Sequence, residues 1–305
     1  MQSVLLLILA MLLAPLYAAL ILKVKAFFGG KKGPPLLIHY FTLVKLCRKG
    51  SVYSTSSTWV FKLGPVVALA TAALALMFLP VAGQPALLSF KGDVIFLLYM
   101  LALGRFFIIA AALDTGSPFE GMGAAREAYF PIFCEATLFM TLVLFHIITG
   151  ELRLTSYLAG EQPLALWRVA GAPLILVVIA LFIVLLAENA RVPVDDPATH
   201  LELTMIHEVM VLDHSGPDFA LIELGAFFKL FFYAGLVTRL FCPFTPESAA
   251  VSALIFFAAL TLVYCVVGLT ESLMARYRMD KVPQFVLTSF ALAAFATVIT
   301  LEFMP

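Results

Sequence analysis

Residues 170–188 read AGAPLILVVIALFIVLLAE, and the chain then turns polar through NARVPVDDPATHLEL, residues 189–203. The first of these stretches carries no charge until Glu188. At about 1.5 Å per residue a helix of this length crosses a hydrocarbon core of about 30 Å, and a helix satisfies its own backbone in lipid. Working outward, comparable apolar runs occupy residues 3–22, 63–82, 94–113, 130–149, 219–238, 249–270 and 282–302, which makes eight spans in all. The composition agrees: of 305 residues 63% are hydrophobic and 12% charged, too few polar side chains to cover a globule of this size in water. The expected fold is all-α, a polytopic membrane bundle of about eight transmembrane helices with cytoplasmic helical loops, forming a single integral membrane domain over residues 1–305.

Charge sorts the connections by side, although the net charge is zero. Odd-numbered connections hold Lys23, Lys25, Lys31, Lys32, Lys45, Arg48, Lys49, Lys62, Arg126, Arg191, Arg276, Arg278 and Lys281, whereas even-numbered ones hold Lys91, Arg153, Arg168 and Arg239. By the positive-inside rule the first group is cytoplasmic and both termini lie on the outer face. The first run has no Lys or Arg before it and a basic cluster after it, so it is expected to be a retained span and not a signal peptide. Cys47, Cys134, Cys242 and Cys265 are scattered, which suggests neither a disulfide framework nor a cluster-ligand set. Gly121-Met122-Gly123 is too short for a nucleotide fingerprint. Electrons and nucleotides are expected to be handled by other chains.

The two large cytoplasmic loops differ in sign. Between residues 23 and 62 stand eight basic residues and no acidic one. Leu36, Leu37, Tyr40, Leu43, Val44 and Cys47 recur near helical spacing there, which predicts an amphipathic helix from Leu36 to Lys49, either an interfacial anchor or the wall of a partner-facing crevice. In the second loop Asp195, Asp196, Glu202, Glu208, Asp213 and Asp218 face Arg191 alone. Asp196-Pro197 reads as a helix start and Gly216-Pro217 as its stop, giving a helix of about four turns that carries His200, His207 and His214. Seven-residue spacing turns a helix by about 700°, so the three imidazoles share a stripe, yet ligands two turns apart are about 10 Å apart. That separation favours proton buffering or a polar subunit contact over a metal site.

Arg105, Glu135, Glu223 and Lys229 lie inside apolar runs, where an ionised group must face the bundle interior and find a partner or water. Glu135 and Glu223 sit about 6 to 8 Å deep from the cytoplasmic side, and Lys229 about 15 Å deep. Lys229 follows Glu223 by six residues, a rotation of about 600°, so the two need partners on other helices. With Glu188 and Glu271 at the cytoplasmic edge, these groups suggest a hydrated half-channel, while the outer half is expected to be nearly empty of titratable groups apart from His146 and tyrosines. Ion pairs that merely hold the bundle together remain the plainer alternative.

Further motifs accompany the acidic loop. Lys31-Lys32-Gly33-Pro34 opens the basic loop, with Lys45-Leu46 later, and Phe119-Glu120-Gly121-Met122-Gly123-Ala124-Ala125-Arg126-Glu127 precedes the fourth span. Ser215-Gly216 is followed by Phe219-Ala220-Leu221. Nearly end to end, the chain resembles the subunit 1 family of respiratory complex I, and more closely its counterpart in formate hydrogenlyase and related hydrogenase-4 type membrane-bound nickel-iron hydrogenases. The wording from Val192 to Glu208 and from Leu212 to Asp218 favours the hydrogenase branch.

The resemblance implies a multi-pass subunit of a prokaryotic cytoplasmic membrane that binds no cofactor itself. Its implied partners are the nickel-iron hydrogenase large and small subunits, an iron-sulfur ferredoxin-like subunit, antiporter-like membrane subunits and lipid, with the nickel-iron centre and iron-sulfur clusters held by those partners and no nucleic acid involved. A proton path through Glu135, Glu188, Glu202, Glu223, Lys229 and Arg105 is expected, and a peripheral-arm interface at Lys31, Lys32, Lys45, Arg126, Arg191, Asp195, Asp196, His200, His207 and Asp213. In complex I the corresponding loops line a quinone pocket, and the quinone-site subunit of an NADH-quinone oxidoreductase stays as the alternative. One departure bears on it: past a glycine the complex I pattern has an acidic residue, where this chain has Gly225-Ala226 and its nearest carboxylate at Glu223. A stand-alone ion-coupled transporter is the alternative of another class, but no inverted repeat is visible.

Overall fold

The computed structural model of the chain describes residues 2–196 and 205–303. Eleven α-helices follow in order among the described residues: α1 (Gln2–Phe28), α2 (Ile38–Cys47), α3 (Trp59–Phe78), α4 (Asp93–Asp114), α5 (Pro118–Tyr129), α6 (Pro131–Thr149), α7 (Leu154–Leu158), α8 (Gln162–Glu188), α9 (Gly216–Phe241), α10 (Ala249–Leu273) and α11 (Val282–Phe303). No strand occurs among these residues. Eight segments are long and apolar enough to cross a membrane, and each coincides with one of the eight runs read from the sequence. The protein is a polytopic helical membrane protein.

Boundaries shift where proline intervenes. The run beginning at Ala170 is the second part of a longer helix: α8 starts at Gln162 and breaks at Ala170 (φ −133°, ψ 45°), three residues before Pro173. Proline offers no N–H and its ring crowds the carbonyl four residues back, which accounts for a kink at that place. At Pro131 the same missing donor separates α5 from α6 across the single residue Phe130.

The bundle is held by close helix approach. α3 packs on α4 and α9, α11 on α6 and α8, and α1 on α10, while α9 also touches α1, α2, α8 and α10. A methyl on Gly104 would collide with Thr71 Oγ1, and one on Gly64 would come 2.9 Å from Ala111 Cβ, so α3 and α4 meet through small residues. At one end the Asp114 carboxylate accepts from the Thr58 amide at 2.6 Å and from its hydroxyl at 2.9 Å, tying the end of α4 to the start of α3.

Two expectations about charged segments need correction. The helix read over the second loop is not formed between residues 205 and 215, where only one 3-10 turn, Glu208–Val211, occurs; residues 197–204, with His200 and Glu202, lie outside the described residues. Acceptors from elsewhere take the amides such a helix needs. Asp195 Oδ2 accepts from Ile206 N at 3.0 Å and His207 N at 3.2 Å, and Glu120 Oε1 accepts from Asp213 N at 3.0 Å. Nor is the far end of the bundle nearly empty of charge. Asp93, buried at the start of α4, accepts from Leu154 N at 2.9 Å, and Arg239, 2% exposed, donates to Leu158 O at 2.9 Å and Gly160 O at 3.0 Å. Both groups bind backbone of α7 and the turn that follows it.

A helix does form in the basic loop, as α2 from Ile38 to Cys47, with none of its residues buried. Tyr40 on α2 donates its hydroxyl to Leu12 O of α1. His39 packs at a tilt against Phe227 of α9 with ring centres 4.6 Å apart.

Candidate functional site

At the end of the bundle where α8 meets the acidic loop, a connected set of charges is buried. Arg105, on α4, is its hub. Its guanidinium donates to Glu135 Oε1 of α6 at 2.7 Å and to Glu188 of α8 at 2.7 and 2.8 Å, and its Nε lies 3.5 Å from Glu127 Oε1 of α5. The planar fork of arginine makes such multiple contact possible. Lys229 of α9 approaches Glu188 Oε2, which Arg105 also contacts, at 2.8 Å, so the Glu188 carboxylate, fully enclosed, lies between two cations.

From Glu127 the set continues into the loops. Glu127 Oε2 lies 3.2 Å from His207 Nε2, and His207 Nδ1 lies 3.7 Å from Asp195 Oδ2. Asp195 Oδ1 in turn pairs with Arg276 at 2.9 Å. Burial works against charge on His207, but Glu127 and Asp195 outweigh it, and the imidazole is pushed up to about 10. Burial likewise acts against charge on Asp195, yet hydrogen bonding and attraction from His207 prevail and hold its carboxyl below the usual range. Among the described residues, with His207 charged, Arg105, Lys229, Arg276 and His207 stand against Glu127, Glu135, Glu188 and Asp195, four of each sign.

A second, smaller set borders the first. Glu271 on α10 binds Lys25 at 2.9 Å and Arg191 at 3.3 Å, and Lys25 lies 3.9 Å from Asp196. Glu223 does not join Lys229, as the rotation along α9 requires; it faces His39 at 3.7 Å. A cavity of about 410 Å³ connects these groups, lined by Lys25, Arg105, Glu188, Glu223, Lys229 and Glu271 together with apolar side chains such as Leu101, Ile108 and Leu230. It is roomy enough for many waters.

The structure therefore gathers Arg105, Glu135, Glu188 and Lys229 at one centre and places Glu223 on the same cavity. Of the residues expected at the peripheral-arm interface, Lys31, Lys32, Lys45 and Asp213 are exposed, whereas Asp195 is buried and Arg191, Asp196 and His207 turn toward the ion pairs. Arg126 donates to Met205 O at 2.7 Å and so braces the second loop. His214 leaves the presumed imidazole stripe: its ring meets Phe61 at 4.0 Å, and burial, working against attraction from Asp218 and Asp213, pulls its pKa down to about 4. Among the described residues no three His, Cys, Asp or Glu side chains are placed to hold a metal ion.

Glu127, Lys25 and Arg276 are the functional candidates that reading the sequence missed. For Glu127 a signal was there. Glu120, Gly123, Ala124 and Glu127 recur at three- and four-residue spacing, and these four are the buried face of α5. Gly123 lets this face approach the second loop: a Cβ there would collide with Val209 and come 2.9 Å from Ile206 O. Gly123→Ala is expected to push residues 206–210 off α5, lengthen the His207 to Glu127 contact and cost about 1–3 kcal/mol of stability, as overpacking does. Denaturation in detergent checks the cost; an unchanged midpoint would show that the loop gives way freely.

Comparison with known proteins bears on what this arrangement belongs to. The chain is 29% identical to formate hydrogenlyase subunit 4 of Escherichia coli K12, with 93% of each chain covered. It is 28% identical to hydrogenase-4 component C of the same organism, over 95% of this chain and 92% of the other. The NADH-ubiquinone oxidoreductase chain 1 of Triticum aestivum is 27% identical over 72% of this chain and 67% of its own. The fold matches a chain in the structure of the membrane-bound sulfane sulfur reductase, an archaeal respiratory membrane complex, with a TM-score of 0.80, 98% of both chains covered and 21% identity. The family described as NADH dehydrogenase matches residues 1–302, nearly the whole chain, and the protein belongs to that family.

Proposed function

We propose that this chain is the redox-centre-free membrane subunit of a formate hydrogenlyase or membrane-bound hydrogenase complex, seated in the cytoplasmic membrane with both termini outside. It anchors a peripheral nickel-iron hydrogenase arm through Lys31, Lys32, Lys45 and the second loop, and couples that arm's electron transfer to proton uptake and lateral proton transfer toward antiporter-like subunits. The observation that carries the reading is the unbroken line of charges from Asp195 and His207 in the loop, through Glu127 and Arg105, to Glu188 and Lys229 inside the bundle. Near-complete coverage of the two hydrogenase-complex relatives supports the choice of complex.

The chemistry asked of the chain is modest. Glu188 and Glu223 border a cavity that admits water, Glu135 shares Arg105 with Glu188, and Arg105 and Lys229 balance the charge of this set, so a proton arriving at one carboxylate lowers the cation's hold on it and frees the cation for the next. Such ion-pair exchange moves charge without leaving a buried group uncompensated. A second reading, the quinone-site subunit of an NADH-quinone oxidoreductase, is favoured by one observation, the largely apolar wall of the 410 Å³ cavity.

Purifying the chain in mild detergent from its native membrane separates the readings. The proposal expects co-purified nickel and iron-sulfur proteins and hydrogen chemistry with an artificial electron donor. Co-purified NADH-oxidising subunits whose activity depends on added quinone would select the second reading, and an isolated polypeptide would contradict both.

A further inference from the structure

At the end of the bundle away from the Arg105 centre, two buried charges bind no charge of opposite sign. Asp93 opens α4 and Arg239 stands in the last turn of α9, and neither joins an ion pair among the described residues. Both are directed at α7 instead. Asp93 Oδ1 accepts from Leu154 N, the first amide of that helix, at 2.9 Å, and Arg239 donates to Leu158 O at its other end and to Gly160 O just beyond. A five-residue helix leaves most of its end groups without internal partners, so a carboxylate at its amide end and a guanidinium at its carbonyl end hold it in place. Its flanks are tied as well: Gly92 N donates to Leu152 O at 2.8 Å, Gly160 N to Gly83 O at 2.8 Å, and the Thr245 hydroxyl to Gly160 O at 2.9 Å.

What α7 closes is a second cavity, of about 50 Å³, bounded by Leu97 of α4, Leu138 and Phe145 of α6, Leu181 of α8 and Leu236 of α9, with Leu158 of α7 among its walls. It lies between the clamp and the charge centre. Along α4, Asp93, Leu97, Leu101 and Arg105 recur every four residues, so one helix face passes from the clamp through this chamber to the buried charges. Leu101 lines both the chamber and the larger cavity. The chamber is wide enough for a water, but a buried water needs two to four polar partners, and these walls do not offer them. Of the three hydroxyl side chains that line it among the described residues, Thr141 donates to Thr137 O, Tyr157 donates to Glu151 O, and Tyr233 belongs to the inner end, one turn from Lys229. An apolar chamber of this kind stays dry, and a dry constriction carries neither a water chain nor a titratable relay.

We propose that α7, clamped by Asp93 and Arg239 over this chamber, seals the chain against protons on the side away from the charge centre. The inference rests on reading the charges around Arg105 as proton carriers, and it gives the far half of the bundle a function of its own: a proton taken up at Glu188 has no through path in this chain. It also accounts for the cost of burying Asp93 and Arg239 unpaired, since each holds one end of the lid.

Proton leak without turnover tests the proposal. The chain, with whatever co-purifies in mild detergent, is reconstituted into liposomes and given an acid jump in the absence of any electron donor, while an enclosed pH dye records proton entry. Leu97→Asn combined with Arg239→Gln hydrates the chamber and frees the end of α7, and it is expected to leak about tenfold faster than the wild type, a lowering of the barrier by about 1.4 kcal/mol. Leu97→Asn alone is expected to stay close to the wild-type rate, because α7 still closes the chamber, and so is Leu254→Asn on the exposed face of α10. Where Arg239→Gln does not assemble, Leu158→Asn takes its place beside Leu97→Asn and leaves the clamp residues intact. A double variant as tight as the wild type, or a Leu254→Asn chain that leaks equally, would overturn the proposal; Leu97→Asn alone leaking as fast as the double variant would overturn the part given to α7. Because no electron donor is present, the leak is readable whether or not a nickel-iron arm co-purifies, so failure of the functional reading remains distinguishable.

Discussion

Arg105→Ala is expected to destabilise the protein by about 3–5 kcal/mol, the usual cost of removing one partner from a buried ion pair. Three carboxylates lose their shared cation at once: among the described residues Glu188, whose side chain has no exposed surface, keeps its ion pair with Lys229, Glu127 keeps its pair with His207, and Glu135 keeps no paired cation. Labelling of the buried Cys134 thiol during heating in detergent measures the loss, because that thiol becomes reactive when α6 leaves the bundle. Lysine at this position cannot span three acceptors in one plane and is expected to recover only part of the stability. Adding Glu188→Gln to Arg105→Ala should be less damaging than the two single effects summed, since it removes a carboxylate that would otherwise be under-compensated. If Arg105→Ala unfolds like the wild type, the charges are screened by water and the centre is not the buried network described here.

Raising the pH is expected to loosen the second loop before it affects the bundle. His207 titrates near 6.5 when unfolded and is pushed up to about 10 when folded: burial opposes its charge, and Glu127 and Asp195 more than compensate. A group whose folded pKa lies above its unfolded value contributes its stabilisation fully below the unfolded pKa and loses it as pH rises through the folded one. The loss therefore develops between about pH 6.5 and about 10, and at about 1.36 kcal/mol per pKa unit it amounts to a few kcal/mol. The charged groups that face His207 are Glu127 and Asp195, with Arg105 and Arg276 behind them on the same carboxylates.

Hydrogen exchange at the Ile206 and His207 amides, both bound to Asp195, reads this loosening directly. Faster exchange is expected as pH climbs beyond the chemical trend, and His207→Gln should remove the extra dependence. In acid the direction reverses. The depressed Asp195 carboxyl contributes stability that is present above its ordinary value of 3.8 and disappears as pH falls through its folded one, so the loop is held best between these limits.

The transmembrane fold was legible because uncharged runs of about 20 residues have one stable form in lipid, a helix. Charges set inside those runs were legible for the same reason. Arg105, Glu135, Glu188 and Lys229 stand out against apolar neighbours, and they do meet. What one-dimensional reading lacked was the partner of each, because pairing follows from helix packing: α5 brings Glu127 to Arg105, and the loop after α10 brings Arg276 to Asp195.

Glu127 also escaped attention because its helix is polar enough to pass for a loop, although its repeat with Glu120, Gly123 and Ala124 marks a buried face. The second loop misled in the opposite way. Asp196-Pro197 and Gly216-Pro217 are sound helix punctuation, but between 205 and 215 distant carboxylates capture the amides that local punctuation assigns to a helix. Local propensity loses when a buried side chain offers a charge-assisted acceptor.

The proposed role of the buried charges around Arg105 is to carry protons, beyond clasping the helices together. It is tested most directly by Glu188→Gln in the intact complex reconstituted into liposomes, with hydrogen chemistry and proton uptake recorded together. Glu188 has no exposed surface and touches both Arg105 and Lys229, so no other member of the set can stand in for it without rearrangement. Proton uptake is predicted to fall about a hundredfold, the scale expected for losing a positioned proton-transfer group, while hydrogen chemistry driven by an artificial donor persists. An assembled Glu188→Gln complex that takes up protons at the wild-type rate would contradict the account.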